Sequence, residues 1–457
     1  MSAPTTVPGV EPADVDERVV DELRANVAAV LSAHLTDDPS LSVADQRMLG
    51  QELIEREVAS YSTERARRGA RVLSAAEERA LAGALADACF GLGRLARLLH
   101  DPLVENVDAV GCDGVWVSYA DGRIAPGPPL ADTDDGLVDL IKTFALYSGG
   151  ASREFSTAHP LLNLRLADGS RLSAWMALSE RPGLSVRRHR LIDVTLDDLA
   201  SARFRTVDEG LAAFLTAVTR ARMNVLVTGA PNVGKTTLIR ALAASGIPAD
   251  EKIVVLEKES ELDLARLNRH RQVVALEARE ANAEGVGEVT LAELVTHALR
   301  MNPDRILVGE VRSNELLAML AACHCGTKGA LTSLHANSAA DAVSRMTAIA
   351  LSSQTPMTVD ALHALIAGAI DFIVHLSMRR SDGQRPERFV AQVVEVCGIG
   401  EGGRVACNEV YRRGPDGRAV PATPPQRFDD LEAAGFDRAW FTPNSALGVV
   451  PAFEVAR

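Results

Sequence analysis

Through residues 14–100 the apolar positions recur at helical spacing. Val19, Val20, Leu23, Val27, Val30 and Leu31 form one stripe, and a run rich in Ala, Leu, Arg and Glu extends from Ala75 to Leu99. Asp101-Pro102 breaks the pattern, and residues 1–13 read as a loose tail, so 1–100 is expected to be a tail and a helical region. From Leu103 to about Leu178 short β-type runs and turns replace it: Gly114-Val-Trp-Val-Ser-Tyr, Leu162-Asn-Leu-Arg-Leu, and Arg171-Leu-Ser-Ala-Trp-Met after an Asp168-Gly169 turn. With a helix from Asp139 to Tyr147 between them, 101–180 reads as a small α+β domain. Residues 181–200 carry Arg181, Arg187, Arg188 and Arg190 and read as a basic linker.

Beyond about residue 200 strands and helices alternate, the pattern of a parallel α/β sheet. Asn224-Val-Leu-Val-Thr, Ile253-Val-Val-Leu, Arg305-Ile-Leu-Val and Ala330-Leu-Thr-Ser-Leu are nearly continuous apolar runs, as strands covered on both faces require. Thr290 and Glu293 have the spacing of a capping box before Leu291, Leu294, Val295, Ala298 and Leu299, which keep one helical face until Pro303. Val359 to Met378 is the most apolar long stretch, but Asp360 and Asp371 make it an amphipathic helix and strand, not a membrane span. The α/β domain is expected over 201–413. Residues 414–457 are Pro/Gly-rich and read as a weakly ordered appendage.

The balance of 48 Lys+Arg against 61 Asp+Glu gives a net charge of −13, which repels nucleic-acid phosphates on average; no direct nucleic-acid partner is expected. Six irregularly spaced cysteines fit reduced thiols. Nothing at the N-terminus reads as a signal peptide, so a cytoplasmic protein is expected, with any membrane contact peripheral.

The sharpest chemical signal is Gly229-Ala230-Pro231-Asn232-Val233-Gly234-Lys235-Thr236-Thr237. It fits G-x-x-x-x-G-K-[ST] directly after a strand and before a helix. In such a loop the amides face a β-phosphate, Lys235 reaches the β/γ oxygens, and the Thr236 hydroxyl ligates Mg²⁺. The other strands run into Glu257, Gly309-Glu310 and His335. Ligands of open α/β sheets bind beyond the carboxyl ends of strands, so these side chains are expected to face the phosphates. A carboxylate there, Glu257 or Glu310, orients Mg²⁺ or polarises the attacking water; a histidine senses the γ-phosphate.

From Asp101 to about Arg412, roughly two-thirds of the chain, these residues resemble the type II/IV secretion ATPases, and among them the CpaF-like ATPases of Flp/Tad pilus assembly. The segments are Leu299-Arg-Met-Asn-Pro-Asp-Arg-Ile-Leu-Val-Gly-Glu-Val-Arg312, Leu334-His-Ala-Asn337, Gly285-Val-Gly-Glu-Val-Thr290 and Ile366-Ala-Gly-Ala-Ile-Asp371. The resemblance implies a RecA-like P-loop domain, a PAS-like N-terminal domain, ATP as the nucleotide, a hexameric ring, and an inner-membrane platform of a pilus or secretion system as partner. It implies that Glu257 lies in the acidic "Asp box", that Glu310 is the catalytic Walker B carboxylate, and that His335 belongs to the "His box". Arg187 and Arg188 match a basic linker pair that closes on the phosphates; Arg279 and Arg312 match family arginines and join the nucleotide-binding set.

The chain departs from the family pattern at Lys258, where the Asp box has an acid, and at Ala230-Pro231-Asn232-Val233, where small residues are usual. Ala275 replaces an arginine, and Gly326-Thr327 stands where Gly-His is common. These departures motivate one rival, a nucleotide-gated ring with little hydrolysis. Another is a conjugation-type secretion ATPase. A GTPase is disfavoured because no Asn-Lys dipeptide occurs to select guanine. Cys323-His324-Cys325 lacks the second ligand pair of a structural zinc site, so no metal cluster is expected. The Arg65–Arg71 run reads as a solvated helix face.

Overall fold

The computed structural model describes residues 16–37, 43–147, 155–166, 168–188, 191, 193–279, 281, 286–324, 326, 328–353, 357–380 and 386–441. Two compact units divide the chain, residues 1–190 and 191–457. The tail at 1–13, Arg190, Gly285, Cys325, Thr327 and residues 442–457 lie outside the described residues.

The first unit opens with α1 (Glu17–Asp37), α2 (Val43–Arg67) and α3 (Ala75–Phe90), whose stripes meet in a small core containing Leu23, Val27, Ile54 and Leu85. After α4 (Arg94–His100) come β1 (Val104–Val110), β2 (Gly114–Tyr119), β3 (Ile124–Pro126), α5 (Asp134–Tyr147), β4 (Leu161–Arg165), β5 (Arg171–Trp175) and β6 (Gly183–Arg187). The described strands form one antiparallel sheet, β3-β2-β1-β6-β5-β4. The expected linker is therefore corrected over 183–187. Leu184 and Val186 alternate into the core beneath a central strand that pairs with both β1 and β5, and the flanking arginines hid that alternation.

The second unit runs α6 (Leu196–Ala200), α7 (Glu209–Arg220), β7 (Val225–Thr228), α8 (Lys235–Gly246), β8 (Lys252–Glu257), β9 (Gln272–Glu277), α9 (Leu291–Ala298), β10 (Arg305–Val308), α10 (Glu315–His324), β11 (Leu331–Leu334), α11 (Ala339–Leu351) and α12 (Val359–Ala369). It continues with β12 (Phe372–Arg379), β13 (Glu387–Ile399), β14 (Val405–Arg413), β15 (Ala419–Pro421) and α13 (Phe428–Ala433). The strands make one sheet, β15-β14-β13-β12-β7-β11-β10-β8-β9, parallel from β12 to β9 and antiparallel from β12 to β15. This is the RecA-like P-loop architecture expected from the sequence.

Successive strand residues point to opposite faces. Val225, Val227, Ile253, Val255 and Leu307 join α6–α8 in one core; Leu226, Val254, Leu256, Ile306 and Val308 join α9–α12 in the other. The parallel order fixes the lateral spacing of chemistry. One strand, β11, separates the P-loop strand β7 from β10, so His335 stands between the P-loop and Glu310, with Glu257 one strand further on at the end of β8.

Residues 414–441 are also corrected from the expected appendage. Ala419–Pro421 extends the sheet, and Phe428, Leu431, Phe436 and Phe441 enter the first core. Phe214 on α7 meets Phe372, Tyr411 and Phe436 edge to face at centroid distances of 5.7, 5.1 and 5.4 Å. Aromatics are only 4% of the chain, so such a concentration makes this segment part of the domain's core.

Candidate active site

The P-loop leaves β7 at Thr228 and closes onto α8. Gly234 caps that helix at φ 98°, ψ 26°, a left-handed conformation that favours glycine, and as a glycine it brings no side chain of its own to cap the first turn. Those amides and the helix dipole suit a phosphate. Gly229 and Val233 are buried, whereas Ala230, Pro231 and Asn232 form the exposed tip. Asn232 tolerates its φ of 64° because its side chain is short and polar. Pro231 withholds one amide but leaves the curl intact. Thr237 lies in the first turn of α8, beside Thr236.

Lys235 is the centre of the site and is 8% exposed. Its Nζ donates to the carbonyls of Gly229 and Ala230, each at 3.2 Å, and to His335 Nδ1 at 2.9 Å. An ammonium only donates, so Nδ1 accepts from it when the ring carries its proton on Nε2; the same Nδ1 also lies 3.2 Å from the Gly229 carbonyl. That Nε2 lies 2.7 Å from Glu310 Oε1, which is also 4.0 Å from Lys235 Nζ. Oε1 is itself buried and, among the described residues, completes no well-formed hydrogen bond. The other oxygen, Oε2, is gripped by Arg312 through Nε at 2.7 Å and through Nη2. The Arg312 backbone is fixed, since Glu315 accepts its amide at 2.6 Å and further bonds from Ser313, while the guanidinium itself is largely exposed. One Glu310 oxygen is thus held in place while its partner faces the lysine.

Glu257 departs from expectation. It ends β8, but its carboxylate is 3% exposed, and Oε1 accepts the amides of Glu261 and Leu262 at 3.0 Å each. It leans beneath the strand end of β10: a Cβ at Gly309 would lie 3.0 Å from its Cγ, which explains a glycine before Glu310. Glu257 shapes the loop that follows it instead of opening toward phosphates. Glu261 is the carboxylate that turns back, and its Oε2 accepts the Thr236 hydroxyl at 2.8 Å. Glu257, Glu259 and Glu261 alternate in sequence, and only the loop decides which one reaches Thr236; the sequence reading missed it for that reason. It also missed Arg388, whose Nε donates from β13 to the Asn232 carbonyl at 2.9 Å.

The other expected arginines make local contacts. Arg279 closes its own loop, bridging Val289 through its backbone and donating from Nε to the Gly287 carbonyl at 2.6 Å. Arg187 ends β6 and Arg188 donates to the Asp101 carbonyl at 2.7 Å; both belong to the first unit. Burial pushes the Cys323 thiol up to about 12, so it is a poor metal ligand.

The Thr236 hydroxyl and the carboxylates of Glu261 and Glu310 are hard oxygen donors, the set that Mg²⁺ takes beside nucleotide phosphates. Among the described residues no three His, Cys, Asp or Glu side chains converge to hold an ion by themselves. Mg²⁺ meets that condition because it draws most of its ligands from phosphate and water.

The family described as type II/IV secretion system protein matches residues 170–420, more than half of the chain. The chain belongs to that family. A putative conjugal transfer protein of Mycobacterium tuberculosis is 34% identical over 301 residues, covering 65% of this chain and 82% of that protein. The conjugal transfer protein TrbB of Rhizobium radiobacter is 30% identical over 214 residues, 46% of this chain and 60% of that protein. Among solved structures, the Legionella pneumophila ATPase DotB aligns at 17% identity over 66% of this chain and 80% of that one, with a TM-score of 0.47. The matched span contains the P-loop and the strand-end residues Glu257, Glu310 and His335.

Proposed function

We propose that the chain is a Mg²⁺-dependent ATP hydrolase that works as a hexameric motor, in the cytoplasm, on the inner-membrane platform of a secretion or pilus system. The observation that carries the hydrolase reading is Glu310: a half-buried carboxylate with one oxygen held by Arg312 and the other, itself buried, 2.7 Å from His335 Nε2 and 4.0 Å from the P-loop lysine. An oxygen so placed takes a proton from water attacking a γ-phosphate, while Lys235 and the first-turn amides of α8 anchor the β- and γ-oxygens. Bound Mg²⁺ would be held by Thr236 with Glu261 and Glu310, and would neutralise phosphate charge. His335 links lysine to carboxylate and reports phosphate occupancy to both. Arg187 and Arg188 are the proposed suppliers of a further phosphate-directed guanidinium. Among the described residues no helix is long and apolar enough to cross a membrane, which supports attachment through a partner.

Phosphate release by the purified chain tests the reading. Glu310→Gln keeps shape but cannot take a proton; hydrolysis should fall by a factor on the order of 10²–10⁴ with ATP affinity within a few-fold. Lys235→Ala should weaken binding itself. Wild-type turnover by Glu310→Gln would overturn the assignment, and a wild type no faster than Lys235→Ala would favour the nucleotide-gated ring. The names of the conjugal-transfer relatives favour a second reading, a conjugation-type secretion ATPase with the same chemistry.

A further inference from the structure

Arg240 lies one helical turn beyond Thr236 on α8, on the same face. Its side chain is buried, 2% exposed, and its guanidinium reaches three backbone carbonyls in two separate segments. Nη1 donates to Leu191 at 2.6 Å, Nε donates to Leu262 at 3.1 Å, and Nη2 donates to Glu261. Leu191 is the first residue of the second unit. A few residues on, the Leu196 amide donates to Ser245 Oγ at 2.8 Å, so the incoming segment is fastened to α8 at two points.

The Glu261–Leu262 stretch is gripped from both sides. Arg240 holds its carbonyls from α8, and Glu257 holds its amides from β8. Peptides held at both ends of their dipoles have little freedom to rotate, and the side chain that emerges from them is Glu261, 2.8 Å from the Thr236 hydroxyl. Burying a guanidinium is costly unless several acceptors compensate, and an apolar side chain would fill the space more cheaply. A forked donor is what reaches two segments at once; a lysine's single ammonium is not.

We infer that Arg240 is a positioning residue that sets Glu261 against Thr236 at the Mg²⁺–nucleotide site, and that it ties this placement to the segment by which the chain enters the ATPase domain at Leu191. The inference rests on the ATP-hydrolase reading above for its ligand.

The test is the Mg²⁺ dependence of binding of a fluorescent, non-hydrolysable ATP analogue to the full chain. It compares wild type, Arg240→Gln, Arg240→Lys, Glu261→Gln and the Arg240→Gln/Glu261→Gln pair, with urea unfolding of each. Affinity in EDTA should stay within about threefold, whereas the half-saturating Mg²⁺ concentration should rise about tenfold in Arg240→Gln and Arg240→Lys, the scale on which groups behind a metal ligand act. The double variant should be no worse than Glu261→Gln alone, because both changes remove one effect. An unchanged Mg²⁺ requirement, or effects that multiply in the double variant, would overturn the assignment. Should Arg240 variants fail to fold, Glu257→Gln loosens the same peptides from the other side; an unaltered Mg²⁺ requirement there also overturns it.

Hydrogen exchange of peptides spanning 191–200 tests the second half. Mg²⁺ and the analogue should slow exchange in wild type and not in Arg240→Gln; equal protection in both refutes the tie to Leu191. Absence of phosphate release by the wild type would sink the hydrolase reading alone, since every readout here is of binding.

Discussion

The two halves of the nine-stranded sheet are held by different means. From β7 to β9 the strands are short, parallel and apolar, and their carboxyl ends deliver Lys235, His335, Glu310 and Glu257 to one edge. From β12 to β15 they are longer and antiparallel. Their support comes from aromatic packing and from carboxylates that tie down the C-terminal segment: Glu395, 1% exposed, accepts the backbone amides of Gln426 and Arg427 at 2.8 and 3.1 Å, and Asp371 pairs with Arg427 at 2.5 Å. One half presents chemistry on loops; the other fastens the C-terminal segment and sends Arg388 to the P-loop tip. A catalytic edge needs side chains that face ligand, so its stability has to be lodged elsewhere.

Phe436→Ala is the hardest blow to the second half. Phe436 is 3% exposed and packs on Phe214 and Phe428. Its truncation should cost about 3–5 kcal/mol in the urea unfolding of the domain. Nucleotide affinity of the molecules that remain folded should stay within a few-fold. If affinity collapses while the unfolding midpoint holds, the division between the halves is wrong.

The same contrast separates what was legible from what was not. The P-loop, the strand ends and the Thr290 capping box are local patterns, and the structure shows each where its spacing puts it. Glu261 and Arg240 depend on a loop folding back across 21–25 residues of chain, which no periodicity records. β6 is a five-residue strand whose inward positions Leu184 and Val186 are too few to stand out beside the exposed Arg187 and the following Arg188. The C-terminal aromatics are spaced 5–8 apart in sequence and pack on one another and on Phe214 and Tyr411, which lie more than 200 and about 25 residues away from Phe436 in the chain.

At the seam between the halves stands a titrating group. His375 on β12 is buried, and its Nδ1 meets the Thr228 hydroxyl, the last residue of the P-loop strand, at 3.0 Å. Burial, with Arg413 assisting and Asp341 opposing, pushes the imidazole down to about 4. The unfolded chain takes this proton near pH 6.5 and the folded chain only near 4. Stability attributable to His375 is therefore fully present above about pH 6.5 and is lost as pH falls toward 4, with a slope of at most about 1.4 kcal/mol per pH unit. His375→Gln should remove that slope from a series of unfolding free energies across pH 4–7. Parallel curves for wild type and variant would show that the seam does not sense protons through this residue.

The smallest effect sharpens the comparison from the catalytic side. Thr290 caps α9: its hydroxyl accepts the Glu293 amide at 3.2 Å, and Glu293 accepts the Thr290 amide at 2.7 Å. The carboxyl of Glu293 is held below its usual range by that amide and by the Thr290 hydroxyl. α9 then buries Leu291, Leu294, Val295 and Ala298 against the face opposite α8. Thr290→Ala removes one cap and should cost about 1 kcal/mol in urea unfolding. The Glu310, Lys235 and Thr236 contacts do not pass through this helix end, so phosphate release should stay within about twofold, as a surface change away from special features allows. A loss of hydrolysis far beyond the loss of stability would mean that α9 does more than cover the sheet, and that the catalytic edge is set from beneath as well as by its own loops.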